Sequence, residues 1–306
     1  MQRRVFVTGG TGFVGRAVVR ALLSGGHHIR ILARNPCALR KINPFASGSI
    51  ELWHGDILKP STIEGAMNQI DAVVHLVGII SEVGNVTFEN LHSRATKTMT
   101  KIARDAGIRR FIHMSALGTR PGAVSHYHQT KWAAEEVVRT SGLDYTIFRP
   151  SLVYGPEDHF VNLFAQIIRH SPFVPLLGRP TALFQPVPVD CVARAFERAL
   201  AAQTSTGQVY DLCGPERLTL EAMMKQIIAT MGRRRILVRI PQRLARLQAR
   251  LLEWLYPVLF NKASPLSRDQ LVMLQEDNIG NGEAAEAAFG FRASSFQEGI
   301  KSYLAP

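Results

Sequence analysis

The run Gly9-Gly10-Thr11-Gly12-Phe13-Val14-Gly15 constrains this chain more than any other. It follows Arg3 to Thr8 (RRVFVT), which reads as a short buried strand, and it opens a stretch from Phe13 to Ser24 in which Val14, Val18, Ala21 and Leu22 share one helical face. Strand, glycine loop and helix in that order put bare backbone N–H groups at the positive end of a helix dipole. Such a place suits a pyrophosphate. Gly9 permits the tight turn, Gly12 lets the backbone come close to phosphate oxygens, and Gly15 lets the helix pack tightly on the strand. Glycines at this spacing are weak evidence alone, but their place after the first strand and before the first helix makes them specific.

The pattern continues along the chain. Gly25 and Gly26 close the first helix; His28 to Ala33 (HIRILA) reads as a second strand, Ile50 to Trp53 as a third and Asp71 to Val77 as a fourth. Phe88 to Ala106 reads as a helix, Arg110 to Met114 as a fifth strand, Ser125 to Thr140 as a helix and Tyr145 to Phe148 as a further strand. Strands alternating with helices of this length imply right-handed βαβ crossovers. The fold class is therefore α/β, a doubly wound parallel sheet of the Rossmann type. Residues 1–150 are expected to form the cofactor domain. Residues 151–306, where Gly and Pro become frequent, are expected to form a smaller, partly interleaved substrate region. No internal repeat is visible.

The end of the second strand discriminates between dinucleotides. An acid there would hold the adenosine ribose hydroxyls, but the sequence reads Ile31-Leu32-Ala33-Arg34-Asn35-Pro36. Arg34 offers a planar fork for a 2′-phosphate, so NADP(H) is favoured over NAD(H). Asp56 and Ile57, after the third strand, are placed for the adenine, and Leu76, Val77 and Gly78 for the path from adenosine to nicotinamide.

Tyr127 and Lys131 lie four positions apart in Y-H-Q-T-K, on one face of a helix. A lysine ammonium near a phenol, with a positive nicotinamide beside both, is expected to lower the tyrosine pKa toward neutrality and let it act as acid or base, and the lysine can also hold ribose hydroxyls. Ser115 ends the preceding strand. With T-G-G-T-G-F-V-G, H-M-S-A-L-G, R-P-S-L-V-Y-G-P and P-V-P-V-D-C-V-A, the pair resembles the short-chain dehydrogenase/reductase superfamily, its extended and atypical branches, over residues 3–300. Within it, the run from His113 to Asn162 and S-P-L-S-R-D-Q from Ser264 to Gln270 look like the branch that includes the NAD(P)H-binding accessory subunit of respiratory complex I and its bacterial relatives. That resemblance implies pyrophosphate binding by Gly9, Gly12 and Gly15, the acid–base positions for Tyr127 and Lys131, and a nicotinamide beside Pro150 to Val153. One departure is Ala116, where extended dehydrogenases commonly place a Ser or Thr; Ser115 is left to polarise the substrate.

Other residues are given structural roles. His75 and His113 lie in strands and read as packed or capping side chains; Asp190 reads as a helix N-cap, and Trp53 and Trp132 as core. Cys37, Cys191 and Cys213 form no C-x-x-C pair, so buried thiols are expected, with no disulfide framework and no metal site. The first strand leaves no room for a leader peptide, and no apolar run approaches the roughly 18 residues a spanning helix needs. The expected location is the cytoplasm, with attachment to the inner face of the membrane as a further expectation.

Charge adds one feature. The net charge of +12 is concentrated between Glu221 and Glu253, a stretch with no acid and eight basic residues. It leads into Pro241 to Phe260, where Leu244, Leu247, Leu251, Leu255 and Val258 recur at helical spacing beside Arg243, Arg246 and Arg250. Such a helix near 241–260 fits either an anionic membrane surface or packing on the substrate region. It lacks the interleaved aromatics of a nucleic-acid site, so no nucleic-acid partner is expected. Two functions stay open: an oxidoreductase, epimerase or dehydratase acting on a carbonyl or secondary alcohol of a small, lipid-like molecule, and a cofactor-binding accessory or redox-sensing module of a respiratory complex.

Overall fold

Short apolar runs separated by amphipathic helices leave little choice but a sheet buried on both faces. The computed structural model describes residues 2–39, 48–260 and 262–305. β1 (Arg4–Thr8) passes through the glycine loop into α1 (Phe13–Ser24) and returns as β2 (His28–Ala33); the single turn α2 (Pro36–Leu39) precedes β3 (Ile50–His54). β4 (Ala72–His75), α3 (Ala95–Asp105), β5 (Arg110–Met114), α4 (His126–Arg139) and β6 (Asp144–Pro150) continue the alternation.

The chain then leaves the sheet through β7 (Val153–Tyr154), α5 (Phe160–His170), β8 (Phe173–Leu176), β9 (Leu183–Phe184), β10 (Val187–Pro188) and α6 (Val189–Ala199). It re-enters as β11 (Gln208–Leu212), and finishes with β12 (Leu218–Thr219), α7 (Leu220–Thr230), β13 (Ile236–Arg239), α8 (Gln242–Phe260), α9 (Arg268–Met273), α10 (Glu283–Phe289) and α11 (Phe296–Leu304).

The main sheet has seven parallel strands in the order β11-β6-β5-β4-β1-β2-β3. From β1 the chain builds outward to β2 and β3, then reverses through β4, so the carboxyl ends of β1 and β4 flank a crevice at the switch point. α1 and α6 cover one face, where Val18, Leu22 and Phe196 are fully buried; α3 and α4 cover the other, with Met99, Ala103 and Val138. Because β11 pairs with β6 from Gln208↔Thr146 to Leu212↔Pro150, the sheet is completed by residues well beyond Pro150. The C-terminal region has its own core of Val161, Phe164, Met223, Ile227, Phe296 and Ile300.

Three local expectations are corrected. The helix read from Phe88 to Ala106 is two pieces, a wide π-helical turn over Glu89–Arg94 followed by α3. Asp190 is not the N-cap of α6: Pro188 holds that position, and Asp190 sits exposed in the first turn, where its charge still faces the helix dipole. The thiol of Cys213 is buried as expected, but Cys37 is exposed.

Candidate active site

The glycine loop meets β4 at the switch point. Gly9 adopts φ +73°, and a Cβ there would lie 2.9 Å from the Leu76 carbonyl carbon and 3.0 Å from the Val77 nitrogen, so only glycine lets the two strand ends close together. A Cβ on Gly15 would run into the Gly9 carbonyl oxygen and sit 2.7 Å from the Gly10 Cα. Gly12 differs. A Cβ there would meet nothing nearer than the Gly9 oxygen at 3.5 Å, leaving its outer side open.

Gly12 is also the N-cap of α1, with no side chain capping it and no acid in the first turn. By contrast Ser125, Thr219, Ser267 and Ser295 each accept a backbone hydrogen bond at the start of α4, α7, α9 and α11. The first N–H groups of α1 therefore receive no acceptor from a cap side chain, and they lie beside the open side of Gly12. The loop fits a pyrophosphate. Arg34 stands exposed just past β2. Asp56 follows β3, where one carboxylate oxygen already accepts the Leu58 N–H at 3.0 Å, and Ile57 is buried beneath it.

Lys131 lies on the other side of the crevice. Its Nζ donates to the Met114 carbonyl oxygen at 3.0 Å, and a Cβ on Gly78 would lie 3.0 Å from that nitrogen, so the ammonium occupies the space over Gly78. Burial pulls it down to about 8, with the Glu135 carboxylate opposing. Around it are three buried histidines. His75 bonds Thr8 at 2.7 Å and Thr96 at 3.1 Å and stacks on His113, with ring centroids 5.5 Å apart. Burial, aided by the Lys131 charge, pulls His75 down to about 3 and His92 to about 2. His113 is lowered by the same burial, and both its ring nitrogens lack a hydrogen-bond partner. All three stay neutral, so Lys131 is the positive charge of this interior.

Tyr127 lies one turn before Lys131 on α4, its ring edge-on to Phe88 and His92 at 5.8 and 5.2 Å between centroids. The lowering expected from Lys131 is not found: burial first, and then the Asp269 carboxylate, raise the Tyr127 phenol well above the usual tyrosine range, which keeps it protonated at neutrality. Ser115 is buried with its hydroxyl 3.4 Å from that of Thr119, and Ala116 beside it is buried too. Pro150 accepts the Leu117 N–H at 2.9 Å, and Val153 pairs with Val187 behind it.

Two participants escape a reading of the sequence. His92 accepts the Ile79 N–H through Nε2 at 3.2 Å and bonds Thr130 through Nδ1 at 2.9 Å, tying the loop after Gly78 to α4. The π-turn shifts its direction from that of a regular helix. Asp269 is the other: its two oxygens accept the His126 and Tyr127 N–H groups at 2.8 and 3.0 Å, which finishes the first turn of α4 from the far C-terminal region. Asp269→Ala is expected to lower stability by about 1–2 kcal/mol, as for loss of a helix cap. Urea unfolding reads this out, and an unshifted midpoint would show that the clasp contributes nothing.

A sheet that reverses its order, with a glycine loop opening a helix at the reversal, is the arrangement of a nucleotide-cofactor-binding α/β protein. The family model described as NAD(P)H-binding matches residues 9–162, and the chain belongs to that family. It is similar to NADH dehydrogenase (ubiquinone) 1 alpha subcomplex subunit 9, mitochondrial, of Arabidopsis thaliana, 32% identical over 219 residues, 70% of this chain and 54% of that protein. It is similar also to the ceramide reductase of Caulobacter vibrioides, 31% identical over 176 residues, 57% of this chain and 54% of the relative. The chain thus spans about half the length of these relatives. The dTDP-glucose 4,6-dehydratase of Streptomyces venezuelae, solved with NAD, shares the fold with a TM-score of 0.74 over 98% of this chain and 95% of that one, at 23% identity. The chain is a member of the NAD(P)H-binding family that shares its fold with epimerases and dehydratases and is related to the NADH dehydrogenase subunit. Among the described residues no helix is long and apolar enough to cross a membrane, and no group of His, Cys, Asp or Glu is arranged to hold a metal ion.

Proposed function

We propose that this chain is an NADP(H)-dependent oxidoreductase that reduces a carbonyl group on a small, lipid-like molecule. The observation that carries the reading is Lys131, a buried ammonium held over Gly78 at the switch point, one helical turn from Tyr127. The dinucleotide, when bound, supplies hydride. Gly9, Gly12 and Gly15 shape the seat for its pyrophosphate, Arg34 meets the 2′-phosphate, and Lys131 holds ribose hydroxyls. Tyr127, kept protonated by its surroundings, gives its proton to the oxygen that gains charge as the carbonyl is reduced. Ser115 is the hydroxyl near the reacting oxygen. A lipid-like substrate is in keeping with the relatives named for ceramide reduction and for 3β-hydroxysteroid dehydrogenation.

The test is purification without added nucleotide, mass spectrometry of whatever is retained, and assay of NADPH oxidation against long-chain and steroid ketones. Oxidation of NADPH that depends on the ketone supports the reading. A second reading, a respiratory-complex accessory subunit that keeps a dinucleotide without turnover, is favoured by the buried Ala116 beside Ser115 and by the relative in NADH dehydrogenase. Retained nucleotide with no turnover on any ketone would select it.

The cofactor preference has its own measurement. Arg34→Ala is expected to weaken NADPH by about 1–3 kcal/mol, the loss of a charge-assisted hydrogen bond, and to leave NADH unchanged. Calorimetric titration decides it. Equal affinity of the wild type for NADH and NADPH would overturn the preference.

A further inference from the structure

α8 is packed in reverse. The side chains it turns to the body of the protein are small: Ala245 and Ala249 are buried against Leu271, with Leu177, Ile240 and Leu266 around them. Leu244, Leu247, Leu251 and Trp254, at spacings of three and four, stand in solvent, Leu247 at 66% and Trp254 at 68% exposure. Leu259 and Phe260 extend the exposed apolar surface to the helix end. The helix is nonetheless held in place, since Glu253 accepts the Arg268 backbone N–H at 2.7 Å and its guanidinium at 2.6 Å. An amphipathic helix in an isolated globular protein turns its large apolar residues inward, and an exposed patch of this kind marks a contact surface.

Arg243, Arg246 and Arg250 run along one flank of the stripe, all exposed, and among the described residues none of the three forms an ion pair. The ribbon that leads into α8 repeats the theme. β13 pairs with β8 in the register Ile236↔Phe173 and Val238↔Pro175, and Phe173, Ile236 and Val238 are exposed on it. Arg233 and Arg234, just ahead of β13, are exposed as well.

We propose that α8 and the β8–β13 ribbon form a docking surface for an anionic lipid bilayer. The helix lies in the plane of the interface, with Leu244, Leu247, Leu251 and Trp254 among the upper acyl chains and the arginines at the lipid phosphates. Charge chooses this occupant over a second copy of the chain. Two such faces brought together would oppose arginine rows in a protein of net charge +12, with no acid between Glu221 and Glu253 to offset them. α8 packs on α9, whose Asp269 clasps the start of α4. The exposed leucines, Trp254 and arginines of the docking face are nonetheless not among the residues of the Tyr127–Lys131 crevice, so the inference holds whether or not the chain turns over a ketone.

The experiment is co-sedimentation with vesicles of phosphatidylcholine containing phosphatidylglycerol, and with phosphatidylcholine alone, at low and high salt. The protein is expected to pellet with the anionic vesicles at low salt and to be largely released as salt screens the arginines. The triple variant Arg243→Gln, Arg246→Gln, Arg250→Gln and the double variant Leu247→Ser, Leu251→Ser should each weaken partitioning at least about tenfold. Because these side chains are exposed, both variants should keep the wild-type thermal unfolding transition, which separates lost docking from lost folding. A protein that stays in the supernatant at low salt, or variants that partition like wild type, would overturn the proposal. So would a concentration-dependent dimer abolished by the leucine substitutions, because that result assigns the stripe to a second copy. Pelleting with the anionic vesicles that depends on both sets of side chains would establish it.

Discussion

Tyr127→Phe is expected to lower ketone-dependent NADPH oxidation at least about 100-fold while leaving NADPH affinity within about twofold of wild type, as for removal of a general acid. The substitution deletes one hydroxyl. The ring keeps its edge-on contacts with Phe88 and His92, and the backbone N–H keeps its bond to Asp269, so the helix that carries the pair is undisturbed. Steady-state turnover and nucleotide titration on the same preparation separate the two effects. A variant that turns over normally would make the tyrosine and lysine a coincidence of helix surface.

Gly15→Ala is expected to abolish measurable nicotinamide-nucleotide binding and to cost about 1–3 kcal/mol of stability, the ordinary range for overpacking. The new methyl group would be driven into the Gly9–Gly10 backbone, against the Gly9 carbonyl oxygen and 2.7 Å from the Gly10 Cα, which cannot give way as a flexible side chain could. Relief requires α1 to move off β1, and that movement opens the seat of the pyrophosphate. Gly48→Ala is the control, because a Cβ there meets nothing within 4 Å. Fluorescence titration with NADPH and urea unfolding of both variants give the comparison. Binding retained by Gly15→Ala would show that the loop has slack the geometry does not suggest.

The parts of this molecule that were legible in its sequence are those fixed by local chemistry. Gly9 and Gly15 are glycine because neighbouring backbone excludes a Cβ, and the alternation of apolar strand and amphipathic helix points to a parallel, doubly wound sheet. What was not legible depends on partners far along the chain or on a change of helical period. Asp269 accepts from donors more than a hundred residues away, and nothing in S-P-L-S-R-D-Q announces a clasp on another helix. His92 falls within a π-turn, where a regular helical projection points it elsewhere. α8 was recognisable as amphipathic, yet which side would be covered was decided by Ala245 and Ala249, two residues that hydrophobic patterning weighs lightly. β11 was hidden because its register lies against β6, beyond the Gly- and Pro-rich stretch where the alternation lapses.

The clasp between Asp269 and the start of α4 sets an order of events for a chain growing on the ribosome. Domains fold as their sequence emerges, and the strands that flank the crevice are all made early. The turn carrying Tyr127 is finished only when a carboxylate 142 positions further on has been synthesised and its short helix has docked. Until then the phenol rides on a helix whose first two amide groups have only water to bond. A ribosome stalled before Asp269 is therefore expected to display a nascent sheet with its glycine loop in place and α4 frayed at the end that carries Tyr127, so on the function proposed above competence for nucleotide would come before competence for chemistry.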